Sequence, residues 1–89
     1  MKKLTVKVYG EVQSVGYRIE AKRKADEMGL RGFARNESDG SVYIEAEGDE
    51  KQLKAFLDWC RTGTRFATVT KTEHEFSDAA KNFADFKII

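Results

Sequence analysis

The 89-residue sequence has one cysteine, one histidine, no proline and no long apolar run. With Cys60 alone, no disulfide can form within the chain and no zinc site can be built from thiolates, so stability must come from packing. Without proline no loop has its φ angle fixed by a ring, including the loop in which Thr64 follows Gly63. The first residues are charged and then alternate apolar with polar, which excludes a signal peptide or a spanning segment there. We therefore expect a cytoplasmic protein without a membrane partner.

The length and the charge bound the possibilities further. A chain this short buries only a little more than roughly 60% of its unfolded surface, so we expect residues 1–89 to form a single domain. The net charge of +1 gives no general reason to expect binding to nucleic acid. The charge is uneven, however, because residues 1–35 carry nine basic and four acidic side chains, whereas residues 36–60 carry two and seven. The basic first part suits a small anion.

Alternation with a period of two predicts the strands. Leu4, Val6 and Val8 alternate with polar residues, and we expect Gly10 to end this first strand. The same pattern predicts a hairpin and two later strands, over residues 30–35, 41–47, 67–76 and 83–89. The aromatic side chains that we expect in the core are Phe33, Phe56 and Phe86.

Helical spacing of apolar residues predicts two helices. The first runs from Tyr17 to Met28 and ends at Gly29, and the second runs from Asp49 as N-cap to Cys60, with Gly63 just past its end. The resulting order is β-α-β-β-α-β plus a terminal strand. It predicts an α+β, ferredoxin-like sandwich in which two helices cover one face of an antiparallel sheet.

The segment from Gly10 to Arg18 joins the first strand to the first helix and brings several backbone N–H groups to a helix N-terminus, a place that suits an anion. Arg18 lies in the first turn, where a cation opposes the helix dipole at a cost of roughly 0.3–1 kcal/mol. Two interpretations stay open for this segment alone. Either Arg18 binds an anion, or it pairs with Glu20 or Glu11 on the surface.

The second candidate segment is the turn of the hairpin, which begins at Asn36 and contains Gly40. Asparagine is common in turns because its side chain bonds the local backbone and tolerates left-handed conformations. Taken alone, Asn36 indicates a turn and nothing more.

Together these two segments resemble the acylphosphatase family. Residues Gly10 to Arg18 match the family pattern Gly-x-Val-Gln-x-Val-x-Phe/Tyr-Arg. The second pattern, Gly-aromatic-small-x-Asn followed by Gly, Val and a later Gly, is matched at Gly32, Phe33, Ala34, Asn36, Gly40, Val42 and Gly48. The resemblance extends over essentially the whole chain, since the family has the same order of elements and an aromatic-apolar final strand.

The resemblance implies an enzyme that hydrolyses acyl phosphates to carboxylate and inorganic phosphate, with no metal and no cofactor. By the family's pattern the phosphate is held by the backbone amides of Gln13, Ser14, Val15, Gly16 and Tyr17. Arg18 clamps the same group and Asn36 orients the attacking water. Inorganic phosphate is then both the product and an inhibitor, and a broad range of acyl groups is tolerated. We expect a monomer.

Ser14 departs from the family pattern, which usually has glycine at this position. If the backbone there requires a positive φ, serine costs on the order of 1 kcal/mol. Its hydroxyl also raises a covalent alternative through a phosphoserine, but such a nucleophile needs an adjacent base. His74, the only histidine, lies on a predicted strand. Thr64 is a second departure, since many members have proline there.

Two competing functions come from other classes. Residues 31–34 echo the start of the RNP1 pattern of RNA recognition motifs, but the match fails at residues 35–37, so we expect no nucleic-acid partner. A regulatory module that binds phosphate or carbamoyl phosphate is the other alternative, because acylphosphatase-like domains occur within larger carbamoyl-transferring maturation proteins. The short chain and the presence of both Arg18 and Asn36 favour the enzyme.

Overall fold

In the computed structural model, which describes residues 1–79 and 83–89, strands and helices follow one another in the predicted order. The strands are β1 (Lys2–Glu11), β2 (Arg31–Asn36), β3 (Val42–Gly48), β4 (Thr68–Asp78) and β5 (Phe86–Ile88). The helices are α1 (Tyr17–Glu27) and α2 (Glu50–Thr62). The described strands form one sheet in the order β4-β1-β3-β2-β5, and both helices pack on it. The ferredoxin-like fold is confirmed.

The direction of the last strand differs from the prediction. Four strands pair antiparallel, but β5 runs parallel to β2, so the sheet is mixed rather than antiparallel. The reason is topological. The chain reverses direction between β4 and β5, and β4 itself runs opposite to β2, so a strand added at the β2 edge must run parallel to β2. Sequence periodicity contains no information on this point.

Gly10 does not end β1, as we had expected, but lies at an irregularity within it. The pairing of β1 with β4 shifts between Tyr9 and Gly10 and then continues to Glu11. Gly10 has a φ of +127°, and a Cβ atom there would overlap the carbonyl oxygen of Thr68. Only glycine allows this close approach of β4, and the resulting bulge sends the chain into the loop before α1.

The core lies between the sheet and the two helices. The sheet contributes alternate residues of its inner face, namely Leu4, Val6, Val8, Ala34, Val42, Ile44, Ala46 and Phe86. The helices contribute Tyr17, Ala21, Ala25, Leu53, Phe56, Leu57 and Cys60. Within the described residues, neither helix is long and apolar enough to cross a membrane.

Phe33 was expected in the core, and this was wrong. It is partly exposed and lies against Tyr43 and Phe83, with ring centroids 5.9 and 5.7 Å away. Its neighbours in β2, Gly32 and Ala34, are buried. Because side chains alternate along a strand, Phe33 must then face the opposite side of the sheet.

Tyr17 joins the start of α1 to the end of α2. Its hydroxyl donates a hydrogen bond to the carbonyl oxygen of Cys60 at 2.8 Å, and its ring lies 5.3 Å from that of Trp59. Burial raises the pKa of Tyr17 well above its ordinary value, with a smaller contribution from Cys60, and burial also raises the pKa of the Cys60 thiol to about 12. Both groups stay neutral at physiological pH and serve packing.

Replacing Tyr17 with phenylalanine should lower the free energy of unfolding by about 1–2 kcal/mol, because the buried hydrogen bond to the carbonyl oxygen of Cys60 is lost. Urea unfolding followed by Trp59 fluorescence measures this. The control is Tyr9→Phe, whose hydroxyl donates to exposed Glu73 at 2.9 Å and should change stability by less than about 0.5 kcal/mol. Equal effects of the two changes would contradict the structural role assigned to Tyr17.

Candidate active site

The loop before α1 presents backbone donors to one side of the molecule. Ser14 and Gly16 both have left-handed φ angles, 62° and 78°, and Gly16 is the N-cap residue of α1. Glycine offers no side chain that could accept hydrogen bonds from the first N–H groups of the helix. The N–H of Glu20 bonds back to the carbonyl oxygen of Gly16 at 3.1 Å, and the first N–H groups of a helix have no partner within the helix. Unpaired N–H groups at a helix N-terminus, where the helix dipole is positive, are suited to bind an anion.

Ser14 adopts the backbone conformation that normally favours glycine. Among the described residues it is the only non-glycine residue with a positive φ. An L-residue in this conformation costs roughly 1–2 kcal/mol, because its Cβ approaches the carbonyl oxygen that follows. The loop therefore carries local strain at the position where the sequence departs from the family pattern.

Arg18 does not pair with Glu20, so that interpretation of its role is wrong. Glu20 binds Arg23 at 2.6 Å, and Arg23 also binds Glu27 at 2.7 Å. Among the described residues no Asp or Glu side chain forms a salt bridge with Arg18, and its guanidinium makes only a long hydrogen bond of 3.4 Å to the main-chain oxygen of Ile89. The guanidinium is thus available to a bound anion.

Asn36 is the last residue of β2, where it pairs with Val42. Its side-chain oxygen Oδ1 is buried and has no hydrogen-bond partner among the described residues. A buried acceptor without a donor costs about 1–3 kcal/mol, so such a group in a native protein calls for an explanation, such as a catalytic role or a bound water.

The turn itself does not use the Asn36 side chain. The backbone N–H of Glu37 donates to the carbonyl oxygen of Ser41 at 2.8 Å. Asp39 Oδ1 accepts hydrogen bonds from the Ser41 hydroxyl at 2.5 Å and from the Ser41 N–H at 3.0 Å, and Lys7 lies 3.0 Å from its other oxygen. These contacts, led by the Ser41 hydroxyl, hold the pKa of Asp39 well below its ordinary value. A purely turn-forming role for Asn36 is therefore insufficient.

The side chain of Gln13 connects the loop to this hairpin. Its Nε2 donates to the carbonyl oxygen of Glu37 at 2.7 Å and to that of Ser41 at 2.9 Å. Sequence reasoning assigned a role only to the backbone of Gln13. The partners lie 24 and 28 residues further along the chain, so no local pattern could reveal them.

Two cavities adjoin the loop. The smaller has a volume of about 170 Å³ and is lined by Ser14, Gly16, Tyr17 and Arg18, together with Val12 and Ile19. We call it the loop cleft. A larger groove of about 550 Å³ lies beside it. The loop cleft brings together most of the candidate phosphate-binding residues. Asn36 is not among the residues that line either cavity, but the next residue, Glu37, accepts a hydrogen bond from Gln13 of the loop.

The remaining candidates for chemistry lie elsewhere. His74 is exposed on β4, in register with Val6, and its ring contacts Phe76 at 5.8 Å, so it is not placed to activate Ser14. In the part of the chain that the structure describes, no group of three or more His, Cys, Asp or Glu side chains is placed to hold a metal ion. His74 therefore does not supply the base that the covalent alternative needs.

Comparison with known proteins decides the family. A family model described as Acylphosphatase matches residues 4–88. The chain belongs to the acylphosphatase family. An acylphosphatase of Methylococcus capsulatus is 43% identical over 89 residues, which cover 100% of this chain and 97% of that protein. An acylphosphatase of Deinococcus radiodurans is 45% identical over 76 residues, which cover 85% of this chain and 87% of that protein.

Solved structures of similar proteins have the same fold. The crystal structure of acylphosphatase from Bacillus subtilis superimposes with a TM-score of 0.95 at 34% identity, covering 100% of this chain and 99% of that one. Full-length HypF, in a phosphate- and nucleotide-bound form, gives a TM-score of 0.89 at 28% identity over 99% of this chain, but only 12% of HypF is covered. The same domain thus occurs as nearly a whole chain and as a small part of a longer protein.

Replacing Ser14 with glycine should relieve the left-handed strain of roughly 1–2 kcal/mol while adding about 0.4–1 kcal/mol of unfolded-chain entropy, for a net gain near 0.5–1 kcal/mol. Chemical denaturation measures the difference. Ser38→Gly is the matched control, since Ser38 lies in the exposed turn without a positive φ and should lose stability or show no change. If Ser14→Gly destabilises the protein as Ser38→Gly does, the strain assigned to Ser14 is absent.

Proposed function

We propose that the protein hydrolyses acyl phosphates to a carboxylate and inorganic phosphate. In this proposal the backbone amides of residues 13–17 and the guanidinium of Arg18 hold the phosphate, and Asn36 orients the water. The observation that carries it is the guanidinium of Arg18, which forms no salt bridge with a described carboxylate and lies in the first turn of α1, directly after the loop. Phosphate, as the product, should then compete with the substrate for the same donors.

The loop and Arg18 supply the charge stabilisation that phosphoryl transfer requires. In the transition state negative charge spreads over the three equatorial oxygens of the transferred group, while the water and the leaving oxygen lie in line with phosphorus. Donors that are already oriented stabilise this charge without reorganising during the reaction. Arg18 adds a planar pair of N–H groups and a full positive charge.

The leaving group explains why the site contains no evident general acid. Cleavage of the bond between phosphorus and the acyl oxygen expels a carboxylate, whose conjugate acid has a pKa near ~4. Such a group departs as an anion without first taking a proton. The reaction therefore needs neither a catalytic acid nor a metal ion or cofactor to stabilise the leaving oxygen.

Asn36 acts on the water rather than on the phosphate. A carboxamide is too weak a base to remove the proton, but Oδ1 can accept one hydrogen bond from water and hold its oxygen on the line of attack. That Oδ1 is buried without a donor among the described residues supports this role. The Gln13 amide holds the hairpin against the loop, which keeps the water at a constant distance from phosphorus.

The outer face of the sheet does not favour RNA binding as an alternative function. The guanidinium of Arg35 lies over the rings of Phe33 and Tyr43, 5.5 and 5.0 Å from their centroids, and also binds Glu37 at 3.1 Å. Bases would have to displace this arginine to stack on the two rings, and the nearby carboxylate repels a phosphate backbone. Our proposal is a single domain over residues 1–89 that acts as a cytoplasmic monomer on small molecules, without a nucleic-acid or membrane partner.

Hydrolysis of benzoyl phosphate in excess EDTA tests the assigned roles. Wild-type protein should be active, Asn36→Ala should lose roughly 10²-fold or more in kcat while phosphate inhibition persists, and Arg18→Ala should lose both activity and phosphate inhibition. Arg61→Ala, which removes an exposed arginine of α2, is the matched control and should behave as wild type. An inactive wild type that still binds phosphate would favour the regulatory module. Full activity of both site variants would exclude these roles.

Gln13→Ala tests the connection between loop and hairpin. Because the backbone donors remain, the inhibition constant for phosphate should change by less than about threefold, while kcat falls roughly 10- to 100-fold as the water loses its alignment. Steady-state kinetics with phosphate as inhibitor separate the two effects. Gln52→Ala removes an exposed glutamine of α2 and should leave both quantities unchanged. A parallel loss of phosphate binding and kcat would mean that Gln13 shapes the loop itself.

A further inference from the structure

The larger groove beside the loop has an apolar wall. Its volume is about 550 Å³, within the range of roughly 300–1,000 Å³ that is common for small-molecule sites. Val15 and Ile19 line it from the loop and α1, and Trp59 and Phe66 line it from α2 and the segment before β4. We call the space between these four side chains the apolar groove.

Two of the four side chains are unusually exposed for their size. The relative solvent exposure is 64% for Ile19 and 67% for Phe66, whereas most large apolar side chains of the described chain are buried. Single exposed apolar residues are ordinary, but two that flank the same cavity indicate a site for an apolar ligand. Trp59 is held in place, because its ring packs against those of Tyr17 and Phe56 at 5.3 and 6.0 Å.

The apolar groove adjoins the loop cleft. Gly16 and Ile19 line both cavities, and Arg18 and Ser14 line the loop cleft. A ligand with its phosphoryl group in the loop cleft can therefore extend past Gly16 into the groove. The groove is also suited to the leaving end of the substrate, since in-line displacement sends that end away from the water, and Asn36 is not among the residues lining the groove.

The charges at the rim favour a neutral ligand. Arg23 lines the groove, but its charge is compensated by Glu20 at 2.6 Å and Glu27 at 2.7 Å. Arg65 lies over the ring of Phe66, with its guanidinium 5.0 Å from the centroid. The ring that faces the groove is thus supported from one side and can stack with a planar apolar group on the other.

We propose that the apolar groove is the acyl-binding subsite and that it selects substrates with an aryl or other bulky apolar acyl group. This inference rests on the proposed function, because it assumes that the phosphoryl group occupies the loop cleft. A small acyl group such as acetyl does not reach Phe66 and gains nothing from the groove.

The test compares the same variants on benzoyl phosphate and acetyl phosphate. Phe66→Ser should lower kcat/KM for benzoyl phosphate roughly 5- to 20-fold, and Phe66→Leu should lower it less, because an apolar side chain remains. Acetyl phosphate should lose no more than about twofold in either variant. Each variant is compared with wild type on one substrate at a time, which cancels the different intrinsic reactivities of the two compounds.

Phe83→Ser provides the matched control. Phe83 is a partly exposed aromatic side chain that lines a different surface cavity, next to Phe33. Its truncation should leave the ratio of the two kcat/KM values at the wild-type level. Far-ultraviolet circular dichroism of each variant verifies that the fold is retained.

The outcomes separate the two proposals. If Phe66→Ser lowers kcat/KM equally for both substrates, or for neither, the acyl-binding subsite is wrong and hydrolysis of acyl phosphates still stands. If wild-type protein hydrolyses neither substrate, the proposed function fails and the subsite fails with it. Competition between benzylphosphonate and methylphosphonate, which do not react, gives a second readout. Tighter binding of the benzyl compound should be lost in Phe66→Ser.

Discussion

The candidate site depends on one side-chain amide, that of Gln13. Through two hydrogen bonds to carbonyl oxygens of the hairpin, it holds the turn that follows β2 against the loop that follows β1. The two segments are distant in sequence and have no covalent reason to stay in register. A misplacement of about 1 Å can cost roughly 10²-fold in rate, so the proposed alignment of a water with phosphorus depends on this connection.

Arg18 remains without a salt bridge among the described residues because nearby carboxylates of α1 pair with other cations. Helix α1 has several cations besides Arg18, and Arg23 pairs with Glu20 and Glu27 while Lys22 pairs with Asp26. Arg18 receives no such partner among the described residues. Exposed helix pairs of this kind contribute only about 0.3–0.5 kcal/mol each to stability. These pairings also occupy the nearby carboxylates, which leaves Arg18 available for the phosphate that we propose it binds.

Local rules of protein structure are followed in most of the molecule and broken at the site. Ser14 adopts a conformation that favours glycine, Asn36 has a buried oxygen without a donor among the described residues, and Ile19 and Phe66 are exposed. Each exception costs free energy in the folded protein, and all of them lie on the loop, on the hairpin or at the groove. Such exceptions are common at sites of binding or catalysis.

The sequence by itself determined the order of the elements, the loop before α1 and the candidate residues Arg18 and Asn36, because periodicity, turn chemistry and motif spacing are local properties of the chain. Sequence reasoning wrongly predicted Phe33 in the core and an entirely antiparallel sheet, whereas β5 runs parallel to β2. The sequence also contained no sign of the Gln13 hydrogen bonds or of the apolar groove. Only the tertiary structure decided these features, since each depends on which residues meet across 24 or more positions of the chain. Such long-range contacts are set by the packing of the whole core, and no short segment of sequence predicts them.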